Sequence, residues 1–170
     1  MEKNQKDWIH TPQAAGGIKE PGGLGSLRIK RMRPEAVLPF RGTPGSAGMD
    51  LCACLEEPVT IAPGGLVKIP TGIAAALPGP ELAIFLFARS GLGVKHGICL
   101  SNGVGVVDSD YRGEICVGLC NVGKEPYTVQ PGERIAQMVV MPVALLPVVE
   151  TAELDETARG AGGFGSTGKL

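Results

Sequence analysis

An all-β domain, a sandwich or barrel of many short strands with few helices, is the fold class this sequence predicts, and three observations predict it. Glycine and proline account for 26 and 14 of the 170 residues, about twice their average share, so turns interrupt the chain throughout. Hydrophobic residues nevertheless reach 44% with a mean hydropathy of +0.16, a composition that buries a core and not that of a disordered chain. Between the turn residues lie short apolar or alternating runs with the length and period of strands. The length fits about one domain.

Residues 1–26 mix charges with Pro12, Pro21 and glycines without a sustained period and read as a flexible arm or leader. Order is expected from residues 27–32, where apolar and basic residues alternate as in a half-buried strand. A turn at Pro44-Gly45 leads into a strand with a single carboxylate, Asp50, among small and apolar neighbours. Locally Asp50 reads as a turn residue, with an acid supporting a site as the alternative. Residues 59–61, 66–69 and 72–77 give three further strands around the turn at Pro63-Gly64-Gly65. After Pro78-Gly79-Pro80, residues 82–88 form a continuous apolar run fit for a strand buried on both faces.

Arg89-Ser90-Gly91 follows that run and opens a short helical turn, with Ser90 as the expected N-cap. Free amides there, with Arg89 beside them, could receive an anion, or the segment is a capped surface turn. Residues 114–121 alternate again and place Cys116, Gly118 and Cys120 on one face. Residues 127–129 and 134–140, joined by a turn at Pro131-Gly132, are expected to pair as a hairpin. Arg134 and Gln137 are polar insertions in that otherwise apolar run and call for partners. Residues 143–149 are a last apolar segment.

The stretch with the densest chemistry is residues 102–113, where Asn102, Asp108 and Tyr111 sit on an apolar strand interrupted by Gly103 and Gly105. Glycines let a strand bend or let a flat ring approach the backbone. The segment is either a hairpin pocket offering main-chain groups to a ligand, or a glycine-rich hairpin ending in a solvated turn.

Sixteen basic against seventeen acidic residues leave a formal charge of -1. That supplies no global field for a polyanion, so nucleic-acid binding is not indicated. Five cysteines form no CxxC pair and only His10 and His96 accompany them, so buried thiols are favoured over a zinc site. No apolar run has the length of a membrane span and the polar start lacks a secretory h-region. A soluble protein of the reducing cytoplasm is expected.

Near the end, Gly160, Gly162 and Gly165 match GxGxxG, but no strand leads into them. Gly163 to Lys169 begins a phosphate-loop pattern, yet Leu170 stands where Ser or Thr is required. What remains is a glycine segment with Arg159, Phe164, Ser166 and Thr167. Those groups suit phosphate oxygens and a flat base, and a lid over a nucleotide is the functional reading of an otherwise disordered tail.

Taken together, Ala47-Gly48-Met49-Asp50-Leu51, Arg89-Ser90-Gly91, residues 102–113, Arg134-Ile135-Ala136-Gln137 and residues 159–168 resemble the five ordered motifs of the trimeric dUTPases. Each motif alone is weak, whereas all of them in this order and spacing are specific. The resemblance runs from about residue 27 onward and leaves the N-terminal arm outside it. It implies a jelly-roll-like β-barrel over residues 27–157, a C-terminal lid over residues 158–170, and a homotrimer with active sites at subunit junctions. It also implies hydrolysis of dUTP to dUMP and pyrophosphate with Mg2+, the metal being held by the substrate triphosphate and not by a carboxylate cluster.

The same resemblance assigns roles. Asp108 would activate the attacking water. Arg89, Ser90 and Gly91 would hold phosphates, and Gln137 the α-phosphate. Asn102, with the backbone of Gly105 and Val107, would pair with uracil, and Tyr111 would pack on the deoxyribose. Arg159, Ser166 and Thr167 would grip the γ-phosphate, with Gly165 beside them and Phe164 stacked on the base. Asp50 would act through Arg134 or a metal-bound water. The related dCTP deaminases carry a glutamate near the place of Gly118 and another arginine near residues 91–94. Neither is present here. A dUTPase-like binding protein without catalysis is opposed by the retention of Asp108, Ser90 and the tail.

Overall fold

Short apolar runs cut by glycine and proline fold as short strands, because each stretch can satisfy its backbone only by pairing with another stretch. The structure, a computed structural model, describes residues 25–163. In chain order the elements are β1 (Arg28–Arg31), β2 (Met49–Cys52), β3 (Val59–Ile61), β4 (Leu66–Pro70), β5 (Ile73–Ala76) and β6 (Leu82–Ala88). They continue with α1 (Ser90–His96), β7 (Ile98–Leu100), β8 (Gly105–Val107), β9 (Cys116–Asn121), β10 (Tyr127–Val129) and β11 (Arg134–Pro142). All strand pairs among the described residues are antiparallel.

The strands assemble as β1-β5, β3-β10, β2-β11-β6-β8 and β4-β9-β7. With one short helix, this is the expected all-β, jelly-roll-like arrangement. Strand β6 lies between β11 and β8, the interior position its continuous apolar run requires, and it buries Leu82, Ile84 and Leu86. Leu51, Ile69, Ile73, Ile98, Ile115, Leu119, Ile135 and Met138 complete the core, each such side chain stabilising by about 1.5–3 kcal/mol on burial. On β9 the period-two pattern turns Val117, Leu119 and Asn121 inward and leaves Cys116, Gly118 and Cys120 on the outer face. Asn121 is fully buried and fully bonded: its Nδ2 donates to the Ile61 and Glu125 carbonyls at 2.9 and 2.8 Å, and its Oδ1 accepts from the Gly123 N–H at 2.9 Å.

Three local expectations change. Strands β10 and β11 do not form a hairpin. Strand β10 pairs with β3, while β11 lies between β2 and β6. The turn between them docks on the end of β2, where Gly132 N–H donates to the Ala53 carbonyl and Ala53 N–H to that of Glu133, at 2.8 and 2.7 Å. That docking hands β11 to β2. Secondly, the helix N-cap is Arg89, and Ser90 is the first helical residue with no side-chain cap bond. Thirdly, residues 102–107 are not a hairpin, because β7 pairs with β9 and β8 with β6. The turn at Asn102-Gly103, with Gly103 at φ 73°, carries the chain from one sheet to another. The apolar segment at residues 143–149 forms no strand and leaves Leu145, Leu146 and Val148 exposed. No helix among the described residues is long and apolar enough to cross a membrane.

Candidate active site

Two groups of polar side chains stand out, each built by different strands. The first gathers at the end of the β2-β11-β6 sheet. Register places Asp50 of β2 opposite Gln137 of β11, and Gln137 opposite Phe87 of β6, two residues before Arg89. The β2-β11 register shifts between Arg134 and Ala136, an irregularity that re-aims the side chain preceding it. Asp50 is only 5% exposed, and a buried carboxylate needs charged partners. It has two. Its Oδ1 accepts from Arg89 Nε at 3.2 Å and its Oδ2 from Arg134 Nη1 at 3.1 Å. Arg89 Nη1 also donates to the Arg134 carbonyl at 3.1 Å.

Asp50 is therefore a buried strand residue and not the turn residue that its local sequence favours. The turn ends before it, and its partners lie 39 and 84 residues away, beyond any local reading. Its charge also reaches Cys52, whose thiol pKa is pushed up to about 11 by burial first and by Asp50 second. Gln137 is half-buried on β11 and backs onto Gly48, where a Cβ would come within 3.3 Å of the Gln137 Cβ. Ser90 and Gly91 are exposed at the start of α1.

The second group lines a cleft of about 310 Å³ that contains Lys68, Val106, Val107, Asp108, Tyr111 and Glu114. Asp108 is exposed and opens a turn in which Tyr111 N–H donates to its carbonyl at 3.2 Å. The Tyr111 phenol donates to the Glu114 carbonyl at 3.1 Å. Arg112 is engaged on its own turn through the Ser109 and Tyr111 carbonyls at 2.8 and 2.9 Å. Asn102 lies exposed at the sheet-to-sheet turn. Gly105 is tightly packed against β6, since a Cβ there would lie 2.9 Å from the Leu86 Cβ. Lys68 and Glu114 are not singled out by sequence reasoning. The only signal for Lys68 is its charge inside the apolar run of β4.

The remaining predicted residues lie further along. Arg159 is exposed and donates from Nε to the Gly162 carbonyl at 2.8 Å. Phe164, Gly165, Ser166 and Thr167 lie outside the described residues. Among the described residues no hydrogen bond or ion pair joins the Asp50 group to the Asp108 cleft. Nor do any three His, Cys, Asp or Glu side chains there form a group able to hold a metal ion.

The dUTPase family model matches residues 34–168, a span that includes both groups and the glycine-rich segment. The chain belongs to the dUTPase family. A deoxyuridine 5'-triphosphate nucleotidohydrolase of Desulfitobacterium hafniense is 57% identical over 149 residues, covering 85% of this chain and 99% of that relative. The enzyme of the same name from Hahella chejuensis is 55% identical over 139 residues, covering 82% and 91%. Among solved structures, the Staphylococcus bacteriophage 80alpha dUTPase with dUPNHPP superposes with a TM-score of 0.76 at 24% identity, covering 84% of this chain and 98% of the phage chain. That likeness is one of fold. A mutant dUTPase from phage phi11 of S. aureus, described with a structural Mg(II) ion, gives a TM-score of 0.69 at 20% identity, covering 76% and 98%.

Proposed function

We propose that the chain is a dUTP diphosphatase that cleaves dUTP to dUMP and pyrophosphate by in-line attack of an Asp108-activated water on the α-phosphorus. Family membership carries the reaction. The observation that carries the mechanism is the division of chemistry between an exposed carboxylate and phenol in one cleft and an arginine cluster in the other group. A carboxylate can orient a water and take its proton, while guanidiniums bind phosphate oxygens.

In this reading Asp108 also contacts the 3'-hydroxyl, and Tyr111 covers the deoxyribose and excludes a 2'-hydroxyl. Asn102 and the backbone of Gly105 and Val107 pair with the uracil edge, a discrimination by hydrogen bonding that outweighs discrimination by size. Arg89, Ser90 and Gly91 hold the phosphates, with Ser90 at the oxygen that becomes the leaving group, and Gln137 holds the α-phosphate. Asp50 grips Arg89 and Arg134 and so sets the direction of both. Arg159, Ser166 and Thr167 close on the γ-phosphate, with Gly165 beside them and Phe164 stacked on uracil, as residues 158–170 act as a lid.

The donor set fits Mg2+ held by the triphosphate, because the carboxylate most buried in the site has both oxygens engaged by arginine. Bound there, the ion would neutralise charge on the departing pyrophosphate. Apart from the proton that Asp108 takes and the phosphate charge that the arginines bind, the chain acts by positioning.

The family resemblance supports a homotrimer whose active sites form at subunit junctions and so join the two groups. All five cysteines are free thiols, which supports a reducing compartment such as the cytoplasm. The product dUMP would feed dTMP synthesis while uracil is kept out of DNA. The test is pyrophosphate release from dUTP, dTTP, dCTP and UTP with Mg2+. Turnover of dUTP alone is expected, and equal turnover of dTTP or dCTP would overturn the proposal.

A further inference from the structure

Tyr111 is 47% exposed. A half-exposed phenol rotates freely unless something fixes it, and a ring that measures the space above a sugar must be fixed. Two contacts restrain it. Its hydroxyl donates to the Glu114 carbonyl at 3.1 Å, and the ring lies so close over Gly113 that a Cβ there would collide with it. The ring is therefore as steady as the Glu114 backbone.

The Glu114 backbone is tied into the scaffold by its own side chain. Oε1 accepts from the Gly72 N–H at 2.8 Å, and Oε2 faces Arg33 Nη2 at 3.6 Å. Gly72, at φ 69° and with a would-be Cβ only 2.7 Å from both the Ala36 Cβ and the Cys54 Sγ, sits in a closely packed bend. The next residue is clasped to the same bend, since Thr71 N–H and Oγ1 both donate to the Ile115 carbonyl, at 3.2 and 2.5 Å. Ile115 N–H donates in turn to the Ile73 carbonyl at 2.8 Å. Met32 N–H closes the bend from the far side through the Gly72 carbonyl at 2.7 Å. The Glu114 side chain is 23% exposed, so the bond it makes to a main-chain donor is partly sheltered from water.

We propose that Glu114 is a positioning residue for sugar discrimination. Its carboxylate buckles the Asp108–Glu114 loop to the bend at Gly72 and so fixes the Tyr111 ring against a ribose 2'-hydroxyl. The inference rests on the sugar-reading role of Tyr111 given above. Losing the clasp lets the ring swing aside, so a ribonucleotide enters while the reacting groups at Asp108 stay in place. Its signature is a change in which sugar is accepted, with kcat for dUTP reduced much less.

The test is the ratio of kcat/KM for dUTP to that for UTP in the full chain, with melting temperature and far-ultraviolet circular dichroism as folding controls. Glu114→Ala should lower that ratio by about tenfold, mainly by raising UTP turnover. Glu114→Gln, which keeps an acceptor for Gly72, should retain most of the ratio. Tyr111→Phe should lower it too, and the double variant should be no worse than the poorer single one, because both remove one clasp. Should Glu114→Ala fail to fold, Arg33→Ala serves in its place with a smaller loss of about threefold. A folded Glu114→Ala protein with the wild-type ratio, or strict additivity with Tyr111→Phe, overturns the inference. A wild-type chain that leaves dUTP intact overturns the function itself.

Discussion

At the scale of single residues, the proposed site holds one buried and one exposed carboxylate, and their surroundings suit them to different tasks. Asp108 is exposed, free to meet a water and a nucleotide, so Asp108→Asn should keep nucleotide binding and lower turnover by about 10²–10⁴-fold. Titration calorimetry with a non-hydrolysable analogue and pyrophosphate assays would check both halves, and near-normal turnover would refute its role as base. Asp50 is buried between Arg89 and Arg134. Asp50→Ala should cost about 2 kcal/mol in denaturant unfolding, the loss of bonds to charged groups being partly relieved as the arginines rehydrate. It should weaken triphosphate binding as well, since both guanidiniums lose their guide. The exposed turn at Asp108 was legible in the sequence because its motif is local and polar. The pairing of Asp50 was not, because a local reading sees only the glycines and small residues around it.

At the scale of elements, strand β8 illustrates how packing overrides an apolar pattern. Val106 on β8 and Val104 just before it are 60% and 42% exposed, and Gly105 between them is the buried position. Leu86 of β6 occupies the space a side chain would need. Gly105→Ala should therefore cost about 1–3 kcal/mol by overpacking, read as a lowered melting temperature, and should raise KM for dUTP as β8 is displaced. An unchanged melting temperature would show that Leu86 yields freely. The run at β6 could be read residue by residue because Pro78-Gly79-Pro80 and Arg89-Ser90-Gly91 bound it. Partner choice could not be read. Strands β10 and β11 are separated by a turn that invites a hairpin, and only the docking of that turn on Ala53 diverts them.

At the scale of the whole molecule, the fold brings Asp50, Arg89, Arg134 and Gln137 to one place and Asp108 with Tyr111 to another. If each active site joins the two groups across a subunit junction, two inactive variants can rescue each other. Mixing Arg89→Ala with Asp108→Asn after co-refolding at equal amounts should restore about a quarter of the wild-type rate, the chance that a junction receives both intact groups. A mixture as inactive as its parents would place the whole site in one chain. The sheet that carries the first group also governs how the molecule is made. Strand β11 supplies the partner for both β2 and β6, so the early strands emerge from a ribosome with exposed edges and wait for one of the last to arrive. The Asp50–Arg134 pair closes across 84 residues, a non-local contact of the kind that slows folding to milliseconds or seconds. Until then β2 and β6 present unpaired edges of the kind on which a neighbouring nascent chain can pair, which makes β11 the strand that closes this sheet against misassembly.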